Sequence, residues 1–144
     1  MAELNPTESA LLASKICNQI SSVFTTKSPN PAALDVLVQE IADAANRNGR
    51  VFVYGVDREG LMLKVLSRRL FHLGLPAHYV FDKKTHPICP SDLLIASAGL
   101  RGFATVDVIS RVAYSSGAQV LLLTTQPDSG SSTKYATIVA YIPA

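Results

Sequence analysis

The stretch VFVYGVDREGLM, residues 51–62, decides how the rest of the chain is read. Val51-Phe52-Val53-Tyr54 is a short apolar run of β-branched and aromatic residues, which suits a strand buried on both faces. Gly55 and Gly60 bracket a loop, and a helix follows over 61–73 with Met62, Leu66, Leu70 and Leu73 as its inner stripe. In an α/β protein a strand, a glycine-bounded loop and a helix start commonly hold an anion, because the first helical amides lack partners. Yet this loop carries Asp57 and Glu59, whose charges repel one.

Working outward, Asn5-Pro6-Thr7-Glu8 has a cap residue, a proline at the first helical position and a glutamate in capping-box position. Leu12, Ile16, Ile20 and Val23 follow at helical spacing. Asn30-Pro31 repeats the cap-then-proline signal before a second helix carrying Leu34, Leu37, Ile41 and Ala45, which ends at Asn48-Gly49. Beyond Gly74 the pattern predicts strands over 77–81, 92–96, 119–124 and 138–142, a helix over 105–116 capped by Thr105, and a short helix over 131–135. Strand and helix alternate from residue 50 onward, which implies a mainly parallel sheet with right-handed crossovers and helices on both faces. The chain reads as one domain over 1–144, with a helical part at 6–48 and the sheet with its crossovers at 50–142.

Composition narrows the function. The chain is 48% hydrophobic and 17% charged, which is globular and more apolar than usual. The net charge of +2 comes from scattered residues whose only adjacent basic pairs are Arg68-Arg69 and Lys83-Lys84. That speaks against nucleic acid, which needs a basic face. Cys17 and Cys89 are far apart and fit no metal-ligand spacing, so reduced cysteines in a cytoplasmic protein and no metal are expected. Nothing resembles a signal peptide, and no apolar run approaches the ~20 residues of a membrane span.

Ligands of parallel sheets bind at the carboxyl ends of the strands, so three loops matter. In Gly55–Gly60 the dinucleotide fingerprint fails, since Asp57 stands where its middle glycine belongs, and a P-loop fails at Leu61 and Met62. Arg58 adds a charge-assisted donor, while the acids equally suit the first turn of a helix. The second loop, 97–105, offers Gly99, Gly102, Arg101 and the hydroxyls of Ser97 and Thr105. The third, 124–132, is dense in hydroxyls and also contains the routine turn Pro127-Asp128-Ser129-Gly130. Among the histidines, His72 and His78 fit structural positions. His86 lies in the loop after the second strand and is the candidate general acid or base.

Taken together, GRVFVYGVDREGLMLKVLSRRLFHLG, PSDLLIASAG and SSGAQVLLLTTQPDS resemble the sugar isomerase (SIS) domain family, nearest its 6-phospho-3-hexuloisomerase branch, over residues 10–144. The resemblance implies a three-layer, flavodoxin-like α/β sandwich with a five-stranded parallel sheet. It implies a phosphorylated sugar as ligand, no cofactor, and a homodimer or homotetramer. The family's first loop reads like G-x-G-R-S-G. Gly55, Arg58 and Gly60 match it, while Asp57 replaces a glycine and Glu59 the serine near the phosphate. Against the second loop, S-G-S-G-E-T, only Gly99 matches, with Arg101 and Thr105 as partial substitutes. Thr124, Thr125 and Ser129 match in the third. The family's proton-transfer glutamate sits on a helix beyond the last strand, and this chain stops at Pro143-Ala144, which predicts an exposed apolar face. A carboxylate ~4 Å from a bound anion costs roughly 4 kcal/mol at an effective dielectric near 20, on the order of a thousandfold in affinity, unless Arg58 pairs with Glu59.

Three readings follow. One is a phosphosugar-binding domain that isomerises its ligand. Another is a non-catalytic sensor or assembly module. The third is a nucleotide-binding domain with Asp82 on a ribose.

Overall fold

Five parallel strands form one sheet in the order β2-β1-β3-β4-β5 in the computed structural model, which describes residues 5–84, 86–99 and 102–143. The strands are β1 (Val51–Tyr54), β2 (Ala77–Tyr79), β3 (Leu93–Gly99), β4 (Gln119–Thr124) and β5 (Ile138–Tyr141). Helices α1 (Pro6–Thr25) and α2 (Ala33–Asn46) precede them, α3 (Asp57–His72) joins β1 to β2, and α4 (Ala104–Ser115) joins β3 to β4. A 3-10 turn at Ser131–Tyr135 leads into β5. The α/β class, the parallel five-stranded sheet and the two leading helices agree with the pattern in the sequence.

Successive side chains alternate between the two faces of the sheet. Val51, Val53, Leu93 and Ile95 face α2 and α3, where Val36 and Leu63 meet them. Phe52, Leu94 and Val120 face α4, where Val106 and Ala113 meet them. Burial on both faces explains why the central strands are continuously apolar. The helix α1 is different. Its Asn5–Glu8 capping box forms as expected, with hydrogen bonds of 2.8 and 3.0 Å, yet none of its residues is buried. Leu11, Ile20 and Phe24 are all more than half exposed.

The amino edge of the sheet is pinned by one carboxylate. Asp92, 1% exposed, accepts from the backbone N–H of Arg50 at 2.8 Å, from Arg50 Nη2 at 2.9 Å and from the backbone N–H of Cys89 at 2.7 Å. It therefore ties the entrances of β1 and β3 together.

Several element boundaries differ from expectation, among them those of β2 and β5, which end at Tyr79 and Tyr141. The helix α2 starts at Ala33 rather than at Pro31, because the amide and side chain of Asn30 turn toward Ser28 Oγ, at 3.2 and 3.5 Å, instead of capping the helix. The helix α3 starts at Asp57, four residues early, so the expected loop is partly its first turn. The strand β3 runs three residues further, to Gly99, through a register irregularity between Ser97 and Gly99. Thr105 does not cap α4; Phe103 is the N-cap and supplies no side-chain hydrogen bond.

Candidate functional site

The strand order places the candidate site. The chain leaves β1 toward β2 on one side and returns across the sheet to β3 on the other side of β1. Such a reversal opens a crevice beyond the carboxyl ends of the two strands that flank it, here β1 and β3.

The β1 side of the crevice is built by a tight entry into α3. Asp57 has φ 53°, in the left-handed region where glycine is at ease and aspartate is tolerated. Gly60, in the first turn of α3, packs directly against the Gly55 carbonyl, and a β-carbon there would overlap that oxygen. This brings Glu59 over the β3 side. Ser97 Oγ donates to Glu59 Oε2 at 2.7 Å. Gly99, with φ 57°, lies so close under the same carboxylate that a β-carbon would overlap Glu59 Oε1.

The β4 side completes the cradle. The Gly99 carbonyl accepts from Thr125 Oγ1 at 3.3 Å and from Thr124 Oγ1 at 3.5 Å, and the Gln126 N–H donates to Thr124 Oγ1 at 3.0 Å. Gly55, Glu59, Gly60, Ser97, Gly99, Thr124 and Thr125, all named from the sequence, therefore meet at one place.

Among the described residues, no side-chain hydrogen bond or ion pair joins the other sequence candidates to this cradle. Arg58 is exposed, and among the described residues it makes no ion pair with Glu59. Thr105 and Ser129 are exposed on α4 and in the turn after β4. Arg101 lies outside the described residues. His86 is exposed and lines a separate groove of about 530 Å³ on the α4 face, together with Phe52, Asp82, Ile88 and Leu94.

Tyr79, Asp107, Ser131 and Ser132 also make contacts around these loops without being singled out as site residues by the sequence. Tyr79 at the end of β2 donates its hydroxyl to the Gly55 carbonyl at 3.4 Å. Burial, with smaller contributions from Tyr54 and Asp82, pushes its pKa up, so it is a hydroxyl donor at neutral pH. Ser132 donates to Asp107 Oδ1 at 2.7 Å, and the Ser131 and Ser132 hydroxyls crowd Gly102. Only the density of hydroxyls over 124–132 hinted at this second contact.

Chemically the cradle offers hydroxyls and backbone groups in a partly buried crevice, which suits a polyol with a polar end group. One anion, the Glu59 carboxylate, is already inside it.

No protein-family model matches the chain. It is 35% identical to a 3-hexulose-6-phosphate isomerase from Mycobacterium gastri over 105 residues, covering 73% of this chain and 51% of that protein. It is 32% identical over 104 residues to a 3-hexulose-6-phosphate isomerase from Bacillus subtilis, covering 72% of this chain and 56% of that protein. The chain thus spans about half the length of these curated relatives. A Methanococcus jannaschii protein, whose crystal structure was taken to imply a 3-hexulose-6-phosphate isomerase function, superposes with a TM-score of 0.66 and 25% identity over 77% of this chain and 58% of its own. Likeness in sequence and in fold point the same way: the chain belongs to the sugar isomerase (SIS) domain family, close to the 3-hexulose-6-phosphate isomerases.

Proposed function

We propose that the crevice between β1 and β3 binds a phosphorylated sugar, and that the chain serves isomerisation of a hexulose 6-phosphate, the reaction its relatives' names describe. The observation that carries this reading is the convergence of Ser97, Gly99, Thr124 and Thr125 beside the start of α3, at the switch point of the sheet.

Isomerisation moves a proton between adjacent carbons through an enediolate and needs a base. His86 is the base of this reading. No described contact links His86 to the cradle, so its variant separates binding from catalysis. Turnover of a hexulose 6-phosphate that is abolished in His86→Ala, with binding retained, supports the role. Turnover that survives the change removes His86 from it.

A second reading has its own support: Glu59 already occupies Ser97, which favours a non-catalytic sensor or assembly module. Homo-oligomerisation fits both readings, since α1 presents Leu11, Ile20 and Phe24 to solvent.

The test is a thermal-shift panel of fructose 6-phosphate, glucose 6-phosphate, ribulose 5-phosphate, inorganic phosphate, NAD and ATP. A ligand at ~100 times its dissociation constant adds roughly 2.7 kcal/mol, which for a domain of this size is about 5–10 °C. A shift of that order with one sugar phosphate and none with NAD or ATP is expected. A shift with a nucleotide alone would replace the phosphosugar reading.

A further inference from the structure

Glu59 stands where the fold would place a ligand's anion. It lies beyond the carboxyl end of β1, and its carboxylate crosses the switch-point crevice to Ser97 on β3. The Ser97 hydroxyl, a donor this crevice offers to an anion, is bonded to Glu59 Oε2 at 2.7 Å. Beneath the other oxygen lies Gly99, which carries no side chain to hold the carboxylate off, and whose carbonyl is fastened by Thr124 and Thr125. The seat is thus preformed, and its occupant comes from the chain itself. Among the described residues no cation neutralises it: the ion pair found there joins Arg50 to Asp92, at the opposite edge of the sheet.

We propose that Glu59 is the specificity-determining residue of this crevice, its carboxylate acting as a tethered anion in the position a ligand's phosphate would take. This rests on the phosphosugar reading and deepens it. A phosphorylated sugar binds only after the carboxylate leaves Ser97, so its apparent affinity falls by the fraction of molecules in which the seat is vacant. A carboxylate that has swung aside still repels the incoming dianion through a few ångströms of partly screened space. A sugar without a charged group at that end meets neither penalty. Glu59 thus sets how tightly the phosphate end of the ligand is held, without removing the site.

The experiment is isothermal titration of inorganic phosphate, fructose 6-phosphate and fructose into wild type, Glu59→Ser and Glu59→Gln at one low ionic strength. Glutamine keeps the shape and an acceptor for Ser97 and removes only the charge; thermal melts of both variants report folding. Full repulsion at ~4 Å corresponds to the order of a thousandfold, and the partial exposure of Glu59 reduces this to about 30-fold or more. Both variants are expected to bind phosphate and fructose 6-phosphate tighter by about that factor, with fructose changed less than about threefold. Phosphate affinities in both folded variants equal to or below wild type overturn the proposal. Should wild type itself bind fructose 6-phosphate tightly in that case, the phosphosugar reading stands while this inference falls. Should neither wild type nor the variants bind either phosphate, both fall.

Discussion

Replacing Asp92 by alanine is expected to cost about 3–5 kcal/mol of stability, the range for breaking a buried ion pair by removing one partner. The side chain is 1% exposed and collects donors from Arg50 and Cys89. Its loss leaves two backbone N–H groups without their acceptor and a guanidinium without its counter-ion. Total stabilities of domains run about 5–15 kcal/mol, so the variant would lie close to unfolding. Urea denaturation measures the loss. Asp92→Asn keeps an acceptor and should cost less. A loss under about 1 kcal/mol in the alanine variant would mean that the sheet edge does not depend on this carboxylate.

The same group sets an acid limit. Burial pushes the Asp92 pKa up, but the hydrogen bonds from Arg50 and Cys89 and the Arg50 charge outweigh it, and the net direction is below the ordinary carboxylate value. A carboxyl with a depressed folded pKa contributes stability that is fully present above its unfolded pKa of about 3.9 and is lost as pH falls through the folded value. Wild type should therefore lose stability below about pH 4, and Asp92→Asn should lack that component of the loss. Parallel acid profiles for the two proteins would refute the assignment.

Gly60→Ala is expected to destabilise the chain and to impair the crevice. In an open helix interior alanine gains about 1 kcal/mol over glycine. Here the β-carbon would overlap the Gly55 carbonyl, and the obstacle is backbone rather than a mobile side chain. Overpacking of this kind costs about 1–3 kcal/mol, and a backbone obstacle places it at the upper end, for a net loss near 2 kcal/mol. The strain is relieved by moving the start of α3 away from β1, which breaks the backbone frame of the crevice. Thermal melts should show the lower stability, and any ligand-induced shift of the wild type should shrink or vanish. A variant as stable as wild type, with its ligand shift intact, would show that the Gly55–Gly60 approach is not needed.

The order of helices and strands was readable from local pattern alone. The spans of β1 and β4 and the Asn5 capping box fall where the residues put them, because periodicity and capping are properties of neighbours in the chain. Alternation of strand and helix gave a parallel sheet, and with it the loops that gather at one edge. What that reading lacked was partners. By adjacency in the chain Arg58 is the natural neutraliser of Glu59, whereas the folded chain gives Glu59 to Ser97, 38 residues away. That bond exists because β3 lies beside β1, and strand order follows from how the whole sheet packs. The early start of α3 depends likewise on Asp57 accepting a left-handed backbone so that Gly60 can meet Gly55. His86 follows a strand in the chain, which puts its loop near the site edge; the neighbours it meets there, Phe52 and Leu94, come from packing. Local chemistry named most of the groups in the cradle, and only the packing of distant segments could say which of them touch.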